Sequence, residues 1–277
     1  MSLLSEVKYL IKQGKIFPTK LRGQNFCVEE KVLDQMVEVS GLDQVPNVLE
    51  IGPGLGFLTE KIQTSANLVR AVEIELDFKK ILETKKAFWP KTEIIWQDIL
   101  RLSNAEIAGF FNNQPYQVIT NLPYAISGIF FRKFLSWEPK PVGITVMVQQ
   151  EVAERLCAQP GNLSILGLQA LVYSQPRLVM AVAPVSFWPK PKVASAIVRL
   201  DKIISWPYLA LEEKVFWQVV KVGFSAKRKT LFNNLAAGFK LDRIKTEQWL
   251  KQAGLSGLVR AQELSLENWL NLTKYLV

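Results

Sequence analysis

Residues 48–59, Val-Leu-Glu-Ile-Gly-Pro-Gly-Leu-Gly-Phe-Leu-Thr, constrain the fold of this chain more than any other stretch. Val48, Leu49 and Ile51 make the short apolar run of a strand covered on both faces. Gly52, Gly54 and Gly56 follow at alternate positions, where a missing Cβ lets the backbone turn sharply and approach a ligand closely. The residues after them open a helix. Strand, glycine turn and helix in that order begin a doubly wound parallel sheet. Glu50 puts a carboxylate beside the turn.

The glycine spacing excludes two ligand classes. A dinucleotide fingerprint needs G-x-G-x-x-G, and its third glycine position falls on Phe57. A phosphate loop needs G-x-x-x-x-G-K-[ST], and the chain has no such run. The pattern acidic-x-G-x-G-x-G resembles the nucleoside-binding loop of S-adenosylmethionine-dependent methyltransferases. Alone, the stretch also reads as a plain strand-to-helix turn.

The rest of the chain narrows the choice. Its 277 residues are 49% hydrophobic, enough for one large or two small domains with a sizeable core. The net charge of +9 points to a polyanionic partner, nucleic acid or an acidic membrane surface. Histidine is absent, which excludes Ser-His-Asp and Cys-His catalysis and any histidine metal site. Cys27 and Cys157 form no C-x-x-C pair, so neither zinc nor a disulfide framework is expected. Both fit small core residues of a reduced protein. No apolar run reaches membrane-span length, and the first residues lack a signal-peptide core, so a soluble cytoplasmic protein is expected.

Leu3, Leu4, Val7, Leu10 and Ile11 recur at helical spacing, predicting an N-terminal helix. Residues 19–26 are polar, basic and turn-like. Gln24 and Asn25 carry amides able to bond a polar ligand across the strand ends, although the segment by itself reads as a surface loop. A helix is expected over 28–39. After the glycines, a helix over 58–62, a strand over 68–74, a helix over 77–87 and a strand over 93–98 continue the alternation. An acid closing the second strand, about 20 residues past a glycine turn, is where a ribose hydroxyl pair is held. Here that acid is Glu73. Asp98 closes the third strand, placed to accept from the exocyclic amine of an adenine. In a doubly wound sheet, these strand ends share one ligand-binding edge.

The fourth strand runs into Asn121-Leu-Pro-Tyr. Pro123 fixes the backbone and biases Leu122 to an extended shape. The Asn121 side-chain oxygen and a nearby carbonyl can then accept from one amine, while Tyr124 offers a flat face to a base. A proline turn with a packed tyrosine is the other reading. Further on, a helix over 127–135, a strand over 142–148, helices over 151–156 and 163–173, and strands over 177–182 and 194–200 are expected. Residues 187–193, Phe-Trp-Pro-Lys-Pro-Lys-Val, combine aromatics with lysines. They suit either base stacking with phosphate contact or a stiff connection.

Residues 201–208 read as a linker. Only helices follow, over 211–222, 227–237, 244–252 and 265–275. This part carries 12 basic and 7 acidic residues, with the densest cluster at 227–229 near Lys221. A phosphate-contacting patch is the functional reading; a solvated helix start is the other.

With these segments in view, the chain resembles, nearly end to end, the ribosomal RNA adenine dimethyltransferase family. That family dimethylates two adjacent adenosines near the end of small-subunit ribosomal RNA. Residues 23–26, Glu50 through Gly56, Glu73 and Asp98 resemble its cofactor motifs. Asn121-Leu-Pro-Tyr resembles its catalytic motif, and residues 151–156, 187–193, 224–231 and 260–265 its later signatures. The last two of these set it apart from related methyltransferases of large-subunit RNA. The departures are Ala125 in place of the usual Asn, Thr120 in place of Gly, Ala194 in place of Asp, Leu21-Arg22, and a short loop after Pro160-Gly161.

The resemblance implies an α/β fold. A Rossmann-like class I methyltransferase domain (1–200) with a mostly parallel seven-stranded sheet precedes a small all-helical RNA-binding domain (201–277). It implies S-adenosylmethionine as cofactor, held by Gln24, Asn25, Phe26, Glu50, Gly52, Gly54, Gly56, Glu73, Ile74, Asp98, Ile99 and Asn121. Asn121, Leu122, Pro123, Tyr124 and Phe187 would serve catalysis, with Tyr124 and Phe187 sandwiching an extruded adenine. Lys190, Lys192, Lys221, Lys227, Arg228 and Lys229 would contact RNA. The expected partner is small-subunit rRNA in an immature ribosomal particle, with the protein a monomer and with no metal and no membrane. A large-subunit RNA methyltransferase and a non-catalytic ribosome-assembly factor remain as rival readings.

Overall fold

The computed structural model describes residues 2–14, 16 and 25–276. Its elements follow in chain order: α1 (Leu3–Gly14), β1 (Phe26–Cys27), α2 (Glu30–Glu38), β2 (Asn47–Ile51), α3 (Phe57–Ser65), β3 (Leu68–Glu73), α4 (Lys79–Lys86), β4 (Thr92–Trp96), α5 (Asn104–Gly109), β5 (Gln117–Asn121), α6 (Ser127–Ser136), β6 (Ile144–Gln149), α7 (Gln150–Leu156), α8 (Ile165–Tyr173), β7 (Gln175–Val182), β8 (Phe187–Trp188), β9 (Ser195–Asp201), α9 (Glu213–Gly223), α10 (Leu231–Phe239), α11 (Arg243–Gln252) and α12 (Leu266–Lys274).

The seven-stranded sheet has the order β4-β3-β2-β5-β6-β9-β7. The first five strands are mutually parallel; β9 runs antiparallel to β6, and β7 antiparallel to β9. Val48, Leu49, Val118, Ile119, Val146 and Met147 on the central strands are completely inaccessible. Burying each such side chain contributes about 1.5–3 kcal/mol before entropy is counted. The strand order reverses between β2 and β5. Paired register there covers only Val48 with Gln117 and Leu49 with Val118, so the two strands part toward their C-terminal ends. Such a parting is where open α/β sheets bind ligands.

Two features escaped the sequence reading. The first is a two-residue ribbon, in which Phe26 pairs with Trp188 and Cys27 with Phe187. The second is α5, whose start is fixed by a capping box between Ser103 and Glu106. One boundary also moves. Residues 227–229 form a turn ahead of α10, which begins after the N-cap Thr230, so the basic cluster is not the start of a helix.

The chain divides into two compact units. One holds residues 1–153 and 175–203, the other 154–174 and 204–277. The expected single cut near residue 200 falls close to the last boundary, but segment 154–174 groups with the C-terminal helices. The reason is apolar. Leu168, Ala170, Val172 and Tyr173 of α8 are buried, and α8 packs on α12. Within the helical unit, Trp249 and Trp269 are fully buried, and the Trp249 indole donates to the Leu272 carbonyl at 2.8 Å. Asn234 donates to the carbonyls of Gly223 and Ala226 at 2.6 and 3.1 Å, which fixes the chain entering the 227–229 turn.

Candidate active site

The three glycines of the opening stretch all adopt positive φ, at 66°, 57° and 80° for Gly52, Gly54 and Gly56. Gly56 is also sterically obligatory, since a Cβ there would lie 2.4 Å from the Trp89 ring. The loop's shape is held from β3. The Glu73 carboxylate accepts from the backbone N–H of Gly54 at 3.0 Å and from those of Ile74 and Glu75 at 2.8 Å each. Gly52 N–H donates to the Val72 carbonyl at 2.9 Å.

Beside this loop lies a cavity of about 300 Å³. Asn25, Phe26, Glu50, Gly52, Gly54, Glu73, Ile74, Asp98, Ile99, Asn121, Leu122, Pro123 and Tyr124 all line it. The structure thus gathers nearly all the expected cofactor and catalytic residues at one sheet edge. Gly56 is absent from that lining and serves as the turn into α3. Gln24, and with it Leu21 and Arg22, lies outside the described residues. Sequence reasoning missed Cys27, Phe78, Gln97 and Leu100, which also line the cavity. The last two flank Asp98 and Ile99, so extending the motif by one residue each way would have found them.

The three carboxylates differ in state. Glu50 is 2% exposed, and burial pushes its carboxyl up to about 8, the nearby Thr59 hydroxyl opposing the rise and the Glu73 charge adding to it. Among the described residues, Glu50 Oε2 and Thr59 Oγ1 have no hydrogen-bond partner of good geometry. Burial also raises Glu73, and its three backbone donors oppose that shift. Asp98 is more open. One oxygen accepts from Leu100 N–H at 2.9 Å, and the other lies 3.7 Å from Arg101 Nε.

The loop of residues 121–124 is anchored on several sides. Asn121 Nδ2 donates to the Asn25 carbonyl at 3.3 Å, and its Oδ1 has no hydrogen bond among the described residues. The Tyr124 hydroxyl shares a 2.6 Å hydrogen bond with Ser195 Oγ, and burial raises its pKa. Ser127 Oγ donates to the Tyr124 carbonyl at 2.8 Å. Pro123 packs over Gly52. Ala125 is exposed at the cavity, so this departure removes no interior contact.

Phe187 is not brought to the cavity. It is 3% exposed, within the apolar cluster that includes Phe26, Cys27 and Val182. Its ribbon partner is Cys27, and its ring packs in that cluster and not among the residues that line the cavity with Tyr124. Lys190, Lys192, Lys221, Lys227, Arg228 and Lys229 are all exposed, and none forms an ion pair with an acid among the described residues. No group of acidic and cysteine side chains among the described residues is arranged to hold a metal ion.

The residues fit a nucleoside carrying a cationic tail. The glycine cradle admits close approach, Asp98 and Glu73 are acceptors, and an orphaned buried carboxylate oxygen calls for a cation or donor. The family model for ribosomal RNA adenine dimethylases matches residues 19–277. The chain belongs to that family. A small-subunit ribosomal RNA methyltransferase A of Dehalococcoides mccartyi is 37% identical over 268 residues, covering 97% of this chain and 91% of the relative. Its counterpart from Desulfitobacterium hafniense is 37% identical, covering 95% and 94%. Among solved structures, the 23S rRNA methyltransferase ErmE superposes with TM-score 0.71 at 26% identity, covering 91% of this chain and 99% of that one. A dimethyladenosine transferase from Plasmodium falciparum gives TM-score 0.70 at 22% identity, covering 89% and 95%, which speaks to the fold. The chain is therefore an S-adenosylmethionine-dependent ribosomal RNA adenine dimethyltransferase, with the expected class I sheet and a helical C-terminal region.

Proposed function

We propose that this enzyme dimethylates the N6 amines of two adjacent adenosines near the 3' end of small-subunit rRNA, acting on an immature ribosomal particle as a monomer. The observation that carries the reading is the meeting of Asn121-Leu-Pro-Tyr with the glycine loop and the three carboxylates around one cavity. The curated relatives at 33–37% identity, named small-subunit methyltransferases, support the choice of RNA over the large-subunit target of the more distant ErmE.

Bound S-adenosylmethionine supplies an electrophilic methyl group. The protein's task is to hold and orient. Glu50 faces the cationic tail, Glu73 and Asp98 face the ribose and adenine, and Ile74 and Ile99 flank the base. An adenine amine is a weak nucleophile, because its lone pair is delocalised into the ring. With Asn121 Nδ2 engaged by the Asn25 carbonyl, Oδ1 is the atom left to accept an amine proton. The Leu122 carbonyl accepts the second. Two acceptors favour a pyramidal nitrogen with its lone pair aimed at the methyl, a gain of positioning and electrostatics. The amine proton becomes acidic as the N–C bond forms and leaves to solvent, so a chain without histidine needs no dedicated base. The target base leaves its stack and rests on Tyr124. Lys190, Lys192 and the basic residues at 221 and 227–229 contact phosphates.

Labelled-methyl transfer to under-methylated small subunits, followed by mapping of the modified bases, tests the proposal. Label at two adjacent adenines is expected. Label on large-subunit RNA, or none, overturns it.

A further inference from the structure

Thr120 is a fully buried polar residue at the point where β2 and β5 part. Its hydroxyl donates to the Ile51 carbonyl at 2.7 Å, two residues past the last backbone pair between these strands. Ile51 ends β2 and leads into the glycine loop, while Thr120 precedes Asn121 on β5. The side-chain bond therefore stands in for the missing ladder at the mouth of the crevice.

Each half of the site has its own anchors. The glycine loop hangs on β3 through Gly52 N–H to Val72 at 2.9 Å and Gly54 N–H to Glu73 at 3.0 Å. The catalytic loop hangs on β6 through Leu122 N–H to Met147 at 3.2 Å. The contact of the Pro123 ring over Gly52 is apolar and has no directional preference. The Thr120 hydroxyl supplies a directional bond joining the two halves at their base, and a β-branched side chain holds it in few rotamers.

We propose that Thr120 is a positioning residue: by holding the Ile51 carbonyl, it sets the separation between the glycine loop and Asn121. The proposal rests on the methyl-transfer reading of this site. Its role lies in the alignment of donor with acceptor, and neither is bound by it. Misplacement by a fraction of an ångström is costly to group transfer, while each loop keeps its own ligand contacts.

The test measures methyl transfer, S-adenosylmethionine affinity by calorimetry, and thermal unfolding for Thr120→Val and Thr120→Ser. The Val variant keeps the shape and loses the donor; the Ser variant keeps the donor. Thr120→Val is expected to lower kcat by about 10-fold with cofactor Kd and RNA KM within about 2-fold, and Thr120→Ser to restore kcat. Should the Val variant fail to fold, Thr120→Ala must show the same split. Unchanged kcat in the hydroxyl-free variants, or cofactor affinity falling in step with kcat, overturns the proposal. If the unsubstituted enzyme transfers no methyl group, the reading of the site fails instead, which is a separate outcome.

Discussion

Glu50 and Glu73 sit on neighbouring parallel strands, are equally hidden from solvent, and do opposite things. Glu73 is committed: three backbone N–H groups converge on it, and the glycine loop takes its shape from them. Of the roughly four lone-pair sites of a carboxylate, it keeps about one, which under the proposed function takes a ribose hydroxyl. Glu50 is uncommitted: one of its oxygens has no hydrogen-bond partner among the described residues, and its carboxyl is pushed up to about 8. A buried acid with partners shapes the loop, whereas the unpaired oxygen of Glu50, under the proposed function, receives the charge brought by the ligand.

The largest effect that would sharpen this contrast is expected from Glu73→Ala. It strands three donors, of which the buried Gly54 N–H costs about 1–3 kcal/mol and the part-buried Ile74 and Glu75 N–H groups cost less. Thermal unfolding should shift down by about 5–10 °C. Cofactor affinity should fall by more than about 100-fold in calorimetry. Next, Tyr124→Ala separates acceptor from donor. Turnover should fall by about 10- to 100-fold, the worth of one base–aromatic stack. Cofactor affinity should hold; unchanged methylation would remove the stacking role.

Glu50→Gln comes third and most directly challenges the comparison. The apo protein should be more stable than the parent at pH 7, because the parent's folded carboxyl keeps a proton that its unfolded chain has already shed, while cofactor affinity should fall by about 10-fold as a charge-assisted contact is lost. A matching loss of stability would show that Glu50 is committed after all.

The same pair differs in pH response. For Glu50 the folded value lies above the unfolded 4.5, so the unfolded chain sheds this proton first. The stability Glu50 contributes to the apo protein is thus full below pH 4.5 and is lost as pH rises toward 8. Binding of a cation needs the ionised form, so cofactor affinity should rise over that range with release of a proton, read by calorimetry in buffers of different ionisation enthalpy. Glu50→Gln should flatten both trends. The smallest effect belongs outside both acids. Lys229→Ala should leave cofactor binding untouched and lower the slope of log K for RNA against log salt by about 0.7–0.9.

Much of this site was legible because its physics is local. Alternate glycines, a strand-ending acid and a proline after Asn121 each fix a backbone shape within a few residues. What escaped detection depended on distant partners. A two-residue strand has no period to detect, so the pairing of Phe26 and Cys27 with Trp188 and Phe187 was invisible, and with it the burial of Phe187. The state of Glu50 could not be read, since its neighbours Thr59 and Glu73 come from other elements. Nor could Thr120, an ordinary strand residue until its distance to Ile51 is known. Helix α5 is different: Ser103 and Glu106 spell its cap openly, and the signal was there to be used.

The grouping of residues 154–174 with the helices after 204 has a practical consequence. The helical unit is not an appendage at one end of the chain. Truncation after residue 203 would leave α8 behind, its buried face stripped of α12 and open to aggregation. Expressing residues 204–277 alone would omit a structural member. A faithful excision must delete two stretches and rejoin residue 153 to 175, where α7 is cut mid-helix. Swapping helical units between related enzymes therefore calls for a paired graft of two segments, because the two units interleave along the chain.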